Sequence, residues 1–133
     1  MSAASVSRLI TGVLRGERAR VVSLSVTFVG PARIRTLNRT YLGHDRATDV
    51  IAFALTAPAT LQPPVSGVIG DVYICPAVAR RQASAFGTKP RDELRRLVVH
   101  GVLHVLGYDH PDGADRTDSA MWRRQERHLK ALR

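Results

Sequence analysis

The run from His100 to His110 constrains this chain more than any other stretch, because it holds three of the five histidines. Their spacing is H-x3-H-x2-G-x2-H. Residues four apart lie on one face of a helix, so His100 and His104 can point their imidazoles at one spot. Gly107 allows the backbone to leave the helix, and the turn that follows can bring His110 back as a third ligand.

Three neutral imidazoles that converge from a helix and the turn after it suit a zinc-like ion with its fourth position open to water. The alternative is that these are ordinary histidines in a mostly buried helix. That interpretation is favoured for any one histidine alone, but not for three at this spacing with a glycine at the turn. The spacing therefore predicts a metal site and says less about the reaction.

Hydrophobic periodicity predicts eight elements in the order α-β-α-β-β-α-α-α. The expected helices cover 4–16, 31–41, 76–86, 90–106 and 116–132, and the expected strands cover 20–29, 50–55 and 68–75. This order predicts an α+β fold, and the length predicts one domain over residues 1–133. Between Leu97 and Leu106 only the two histidines and Gly101 are not apolar, so we expect a largely buried helix with inward-facing histidines.

The net charge of +9 favours a polyanionic partner, either nucleic acid or an anionic membrane surface. Of the 20 basic residues only Lys89 and Lys130 are lysines, and the planar fork of arginine matches phosphate geometry. A bias toward arginine codons is the alternative explanation. No stretch approaches the ~20 apolar residues of a membrane span, and no signal peptide is evident, so we expect a cytoplasmic protein. The lone Cys75 excludes an internal disulfide and is expected to be buried.

The histidine spacing is that of the metzincin proteases, which place a glutamate directly after the first histidine. Here that position is Gly101. In those proteases the glutamate takes a proton from the metal-bound water, so its absence ranks peptide hydrolysis below a phosphodiester reaction. A metal with an open position can polarise a phosphoryl oxygen or hold a water whose pKa falls toward ~7, while arginines offset the phosphate charge.

The same run from His100 to His110 resembles the signature of the YbeY family, which are bacterial metal-dependent endoribonucleases. Further blocks resemble that family in the order in which the family has them. These blocks are 37–41, 48–53, 69–74 and 121–126. The resemblance therefore extends from about residue 37 to residue 126 and is most specific at the histidines.

The resemblance implies a single α+β domain with a small mixed sheet packed by helices. It also implies that His100, His104 and His110 hold one metal ion, usually zinc, although other divalent metals are possible. The implied substrate is single-stranded RNA, in ribosomal RNA maturation and ribosome quality control. The ribosome, its proteins or its RNA are the implied partners.

The phosphate-binding side of this pattern departs from the family. After the position of Tyr41 the family typically has an arginine thought to face the RNA phosphate, and here that position is Leu42. Arg39 and Arg46 lie near it in sequence and are candidates to replace the missing cation. The alternative is that both are solvated surface arginines.

Four other side chains also bear on the site or its surroundings. Asp71 is a candidate orienting or basic group facing the cleft, with a strand-end turn residue as the alternative. Asp109 is expected to hydrogen-bond a ligand histidine or to cap the turn. His44 is expected at the surface, and His128 on the charged face of the last helix without a role.

Two other functional classes remain open at this point. One is a metallopeptidase-like hydrolase, which Gly101 disfavours. The other is a non-catalytic ribosome-binding factor whose metal is structural. A closed site with four protein ligands would favour the structural role, and an open position would favour catalysis.

Overall fold

The computed structural model describes residues 1–55, 66–108 and 120–132. Its helices are α1 (Ala3–Gly16), α2 (Pro31–Leu37), α3 (Pro76–Phe86), α4 (Pro90–Val105) and α5 (Ala120–Ala131), and its strands are β1 (Val21–Phe28), β2 (Val50–Ala54) and β3 (Val68–Ile74). A short π-helical turn, Asn38–Leu42, continues α2. The order of these elements confirms the predicted α+β class.

Within the described residues the strands form one mixed sheet in the order β1-β3-β2. The central strand β3 runs parallel to β1 and antiparallel to β2. The short strand β2 therefore lies at an edge of the sheet, and among the described strands it pairs with β3 alone.

Helix α4 packs against one face of this sheet at unusually short range. A Cβ atom added to Gly101 of α4 would lie 2.5 Å from Cγ1 of Val72, and one added to Gly70 of β3 would collide with Val105. Both valines are fully buried. Two glycines thus allow the backbones of α4 and β3 to approach more closely than any side chain at those positions would permit.

Two apolar clusters hold the layers together. The larger lies between the helix-covered face of the sheet and α1, α4 and α5, and its members include Leu9, Val13, Ile74, Leu103 and Met121. The smaller lies on the other face, under α2. Cys75 belongs to the smaller cluster and is fully buried, as the sequence predicted.

The end of α4 follows the predicted geometry. Leu106 terminates the helix, and Gly107 then adopts a positive φ of 105°, which glycine tolerates without strain. The amide of Gly107 donates to the carbonyl of His104 at 2.9 Å. The chain therefore turns directly after the second histidine.

A buried ionic cluster, which we call the Glu17 cluster, ties α1 to α5. The Glu17 side chain is 2% exposed. Its carboxylate accepts hydrogen bonds from Tyr108 Oη at 2.7 Å, Arg124 Nη1 at 3.0 Å and His128 Nε2 at 2.6 Å. His128 is thus a cluster member, although the sequence indicated no role for it.

The Glu17 cluster perturbs its own titrating groups. Burial by itself raises the pKa of Glu17, but hydrogen bonds from Tyr108, His128 and Arg124 outweigh it and hold that pKa below 4.5. Burial, followed by the hydrogen bond to Glu17, raises the pKa of Tyr108 to about 12. The cluster therefore keeps an ionised carboxylate and a neutral phenol at neutral pH.

Among the described residues, no helix is both long and apolar enough to cross a membrane.

Candidate metal centre

The two histidines of α4 lie side by side, as their spacing predicted. Their ring centroids are 4.7 Å apart and the ring planes meet at 74°. Both residues are half-buried, one helical turn apart. His100 and His104 thus present two imidazoles from one face of a rigid helix, which suits a site that must hold its ligands in fixed positions.

A buried carboxamide from α5 orients the first of these rings. Gln125 Oε1 lies 2.8 Å from His100 Nδ1, and the Gln125 side chain is 1% exposed. A carbonyl oxygen opposite one ring nitrogen is the arrangement that commonly supports a metal-binding histidine, because it assigns the other nitrogen to the metal. The donor set and its support therefore fit a zinc-like ion.

Both rings open onto a cleft of about 320 Å³. One wall is the histidine face of α4 and the other is the edge strand β2 with the end of the π-helical turn. The lining residues are Leu42, Asp49, Val50, Ile51, Ala52, His100 and His104. Asp49 accepts a hydrogen bond from the Val50 amide at 2.8 Å, so it shapes the entry to β2.

The predicted third ligand, His110, and its neighbour Asp109 lie outside the described residues. In the described part of the chain, no group of three or more histidine, cysteine, aspartate or glutamate side chains is arranged to hold a metal. The three-histidine ligand set therefore stays a prediction, of which the structure describes two members.

The structure does not bring Asp71 to the histidines. Side chains alternate along β3, and Gly70 and Val72 occupy the face that contacts α4, so Asp71 lies on the opposite face. There it accepts a hydrogen bond from Ser25 Oγ at 2.7 Å across the β1–β3 pair. The expectation that Asp71 faces the cleft is therefore corrected by the alternation of its own strand.

Neither of the two candidate arginines is among the residues that line the cleft. Arg39 is exposed in the π-helical turn, and its Nη1 is 3.7 Å from Asp45 Oδ1. Arg46 is exposed in the following loop, and its backbone carbonyl accepts a hydrogen bond from Asn38 Nδ2 at 3.0 Å. In the lining of the cleft, this part of the chain contributes Leu42, whose side chain is 51% exposed.

A second concavity, which we call the basic groove, lies between the first turns of α4 and the last turns of α5. Its volume is about 550 Å³. Its lining residues are Lys89, Arg91, Asp92, Arg95, Arg96, Glu126, Leu129 and Lys130. Five cations against two carboxylates make it a positive surface. Because Arg96 lies four residues before His100, the groove and the histidines share one face of α4.

Sequence reasoning missed Gln125 and Glu17. Gln125 carried a usable signal, since it is four residues after the buried Met121 and so falls on the inward face of α5. Glu17 carried none, because it follows the glycine that ends α1 and its partners lie about a hundred residues later in the chain.

Comparison with known proteins gives a consistent result. A family model described as Endoribonuclease YbeY matches residues 2–133. A protein named Endoribonuclease YbeY from Staphylococcus carnosus is 44% identical over 127 residues, covering 91% of this chain and 80% of the relative. One of the same name from Staphylococcus saprophyticus is 42% identical over 113 residues, covering 81% and 71%.

The same comparison with solved structures finds a similar fold. The solution structure of a protein from Thermotoga maritima superimposes with a TM-score of 0.68 at 27% sequence identity. The alignment covers 97% of this chain and 79% of that protein.

Proposed function

This chain belongs to the YbeY family of endoribonucleases, and from that premise we propose that it is a metal-dependent enzyme that cleaves single-stranded RNA. Family membership supports the coarser statement, an RNA-cleaving hydrolase. The finer statement extends to ribosomal RNA maturation and ribosome quality control, with the ribosome as partner and the cytoplasm as location. The observation that carries the metal dependence is the pair His100 and His104 on an open cleft, backed by a buried carboxamide.

We propose that His100, His104 and His110 hold one zinc ion, with other divalent metals possible. Two of these donors are adjacent imidazoles on a rigid helix, and one already has the supporting hydrogen bond that such ligands usually make. A zinc ion bound there would supply a Lewis acid that polarises a phosphoryl oxygen and lowers the pKa of a coordinated water.

The chain's own side chains have simpler tasks in this proposal. The histidine face of α4 and the edge strand β2 confine the scissile phosphate between two walls. Leu42 and Ala52 make part of the opposite wall apolar. Arg39 and Arg46 contact RNA phosphates next to the cleft. The basic groove holds the RNA backbone farther along α4, because its arginine and lysine side chains bind phosphate groups regardless of the base sequence.

The close packing of α4 on β3 argues against the peptidase alternative. A metzincin glutamate would stand at Gly101, where even a Cβ would lie 2.5 Å from a methyl group of the buried Val72. The general base of that mechanism is therefore excluded by packing as well as by sequence. The open cleft at the histidines likewise favours catalysis over a purely structural metal.

The central experiment compares RNA cleavage by wild type and His104→Ala. Purified protein is stripped with a chelator, reloaded with zinc, and given matched single-stranded and duplex RNA. We expect cleavage of the single strand only, its loss on chelation, and its loss in His104→Ala. His44→Ala is the matched control, because His44 is an exposed loop histidine. Equal cleavage by wild type and His104→Ala would exclude the proposed site.

The products of the same reaction identify the nucleophile. A 2′,3′-cyclic phosphate end indicates attack by the ribose hydroxyl, and a 3′- or 5′-monophosphate without a cyclic precursor indicates attack by water. Cosedimentation of the protein with ribosomal subunits tests the proposed partner. Absence of cosedimentation would contradict the ribosomal part while leaving the RNA-cleaving activity intact.

The phosphate contacts are tested by single substitutions at Arg39 and Arg46, each to alanine. We expect weaker RNA binding and a salt dependence with a smaller slope, by about one unit per lost contact. Arg33→Ala, in an exposed position of α2, is the control. If both substitutions leave cleavage and salt slope unchanged, neither arginine replaces the family's cation.

A further inference from the structure

We infer that a hydrogen-bonded series of four side chains, Arg96–Glu126–Gln125–His100, fixes the His100 ring with its proton on Nδ1 and so directs Nε2 toward the cleft. We call this series the tautomer relay. In it Gln125 is a positioning residue that acts through His100. The inference rests on the proposed metal site, and it assigns to α5 a role in preparing that site for a divalent cation.

The geometry of the relay is continuous. Arg96 Nε donates to Glu126 Oε1 at 2.9 Å, and Gln125 Nε2 donates to the same oxygen at 3.4 Å. At the other end of the carboxamide, Gln125 Oε1 lies 2.8 Å from His100 Nδ1. Because Gln125 is 1% exposed, water has little access to its carboxamide, and its orientation is set by these protein neighbours.

The direction of every hydrogen bond follows from the guanidinium at one end. Arg96 can only donate, and the hydrogen bond with Glu126 raises its pKa further, so this end does not change with pH. A carboxylate can only accept, so Glu126 requires the amide nitrogen of Gln125 to face it. The carbonyl oxygen must then face His100, and a ring nitrogen opposite a carbonyl must carry the proton.

The reversed arrangement is disfavoured at two places at once. Turning the carboxamide over would bring its carbonyl oxygen against the Glu126 carboxylate, which has no proton to offer. It would also place the amide nitrogen against Nδ1 and allow the proton to move to Nε2, the nitrogen a cleft-bound metal requires without a proton. Glu126 and Arg96 therefore control a ring they do not touch.

The direct test reads the tautomer without any metal or RNA. Histidine-selective ¹⁵N labelling of the metal-free protein reports by NMR which nitrogen of His100 is protonated at a pH where the ring is neutral. We expect Nδ1–H in wild type and a mixture in Gln125→Leu. Zinc affinity, measured by competition with a chromophoric chelator, should fall about 10–100-fold in Gln125→Leu, the range usual for lost partners of metal-binding histidines.

Two further variants separate an effect on the His100 tautomer from an effect on the packing of α4 against α5. Gln125→Glu keeps an acceptor opposite Nδ1 but sets a second carboxylate against Glu126, so it should favour Nδ1–H and retain zinc affinity better than Gln125→Leu while it lowers stability. Arg96→Met removes the end of the relay at a side chain that is 26% exposed. It should give a mixture of His100 tautomers and a smaller loss of zinc affinity than Gln125→Leu. Arg96→Met also serves where Gln125→Leu fails to fold.

The matched control is Arg95→Met. Arg95 Nη2 donates to the Leu132 carbonyl at 3.2 Å, so it joins the same two helices without reaching a histidine. It should leave the His100 tautomer and zinc affinity unchanged. The inference is overturned if Gln125→Leu keeps the wild-type tautomer and zinc affinity, or if Arg95→Met lowers zinc affinity equally. Wild type that binds zinc with Nδ1–H on His100 but never cleaves RNA would refute the proposed function and leave the relay standing.

Discussion

Helix α5 takes part in two polar regions that are built in opposite ways. In the Glu17 cluster, one buried carboxylate is surrounded by donors from Tyr108, Arg124 and His128, and all of them face inward. At the candidate metal centre, two imidazoles line a cleft of about 320 Å³, and the Gln125 carboxamide lies against the ring of His100. A polar cluster whose members satisfy one another's hydrogen bonds stabilises the fold. Metal-coordinating side chains that line an open cleft are instead available to bind a ligand.

The two regions are also joined, because adjacent residues of α5 serve them. Arg124 contacts Glu17, while Gln125 contacts His100. The closed cluster therefore holds the helix from which the open site is oriented. If this division is correct, substitutions in one region should mainly affect stability, and substitutions in the other should mainly affect metal binding and activity.

The largest difference between the effect on activity and the effect on stability is expected from His100→Ala. We expect cleavage to fall more than about 100-fold, beyond the loss usual for an outer partner, because a ligand itself is removed. Unfolding by denaturant should show a far smaller loss of stability than substitution of Glu17 produces. A large loss of stability with activity retained in the folded fraction would erase the distinction between the two regions.

Glu17→Gln tests the other region. We expect the free energy of unfolding to fall by about 3 kcal/mol, because the buried charge that pairs with Arg124 is lost. Cleavage per folded molecule should change little. The control is Asp45→Asn, which breaks the exposed ion pair with Arg35 and should have no measurable effect on stability. If both variants behave alike, the Glu17 cluster is no more than a surface ion pair.

Gly101→Ala examines the packing beneath the metal centre. The new methyl group would lie 2.5 Å from the buried Val72, so we expect a loss of about 1–3 kcal/mol in the free energy of unfolding. Gly30→Ala is the control, since a Cβ there meets nothing within 4 Å, and it should cost less than about 1 kcal/mol. Equal effects at the two glycines would show that α4 has room to move away from β3.

Acid should weaken the Glu17 cluster in a defined window. The folded pKa of Glu17 lies below its ordinary value of 4.5, so the unfolded chain binds its proton first as pH falls. The stabilising contribution is therefore complete above about pH 4.5 and is lost as pH drops through the folded pKa. Denaturant unfolding as a function of pH should show this loss in wild type and its absence in Glu17→Gln. Parallel pH profiles would assign acid sensitivity to other carboxylates.

The smallest expected effect is a gain in RNA affinity at the cleft. Leu42→Arg puts a cation in the cleft lining. We expect RNA to bind a few-fold more tightly and the salt slope to steepen by about one. Phe86→Arg, at the exposed end of α3, adds the same charge outside the cleft lining and should change binding less. Equal gains would mean that net charge alone controls RNA binding.

Sequence reasoning found what depends on local spacing and missed what depends on distant contacts. The His100–His104 pair and the turn at Gly107 follow from helical periodicity and glycine conformation, and both are present. The position of Asp71 depends on the alternation of β3, which puts Gly70 and Val72 on the face toward α4 and Asp71 on the other face. Glu17 was invisible because its partner Arg124 is 107 residues away in the chain. Periodicity identifies which face of an element is buried, but it does not say what that face meets.

The position of α5 in the chain has a consequence during protein synthesis. Glu17 emerges from the ribosome early, while Arg124 and Gln125 are made after every other described element. Until then the carboxylate of Glu17 must stay hydrated, so α1 cannot bury it, and His100 lacks the group that sets its ring. A nascent chain therefore cannot complete either region until α5 has been made.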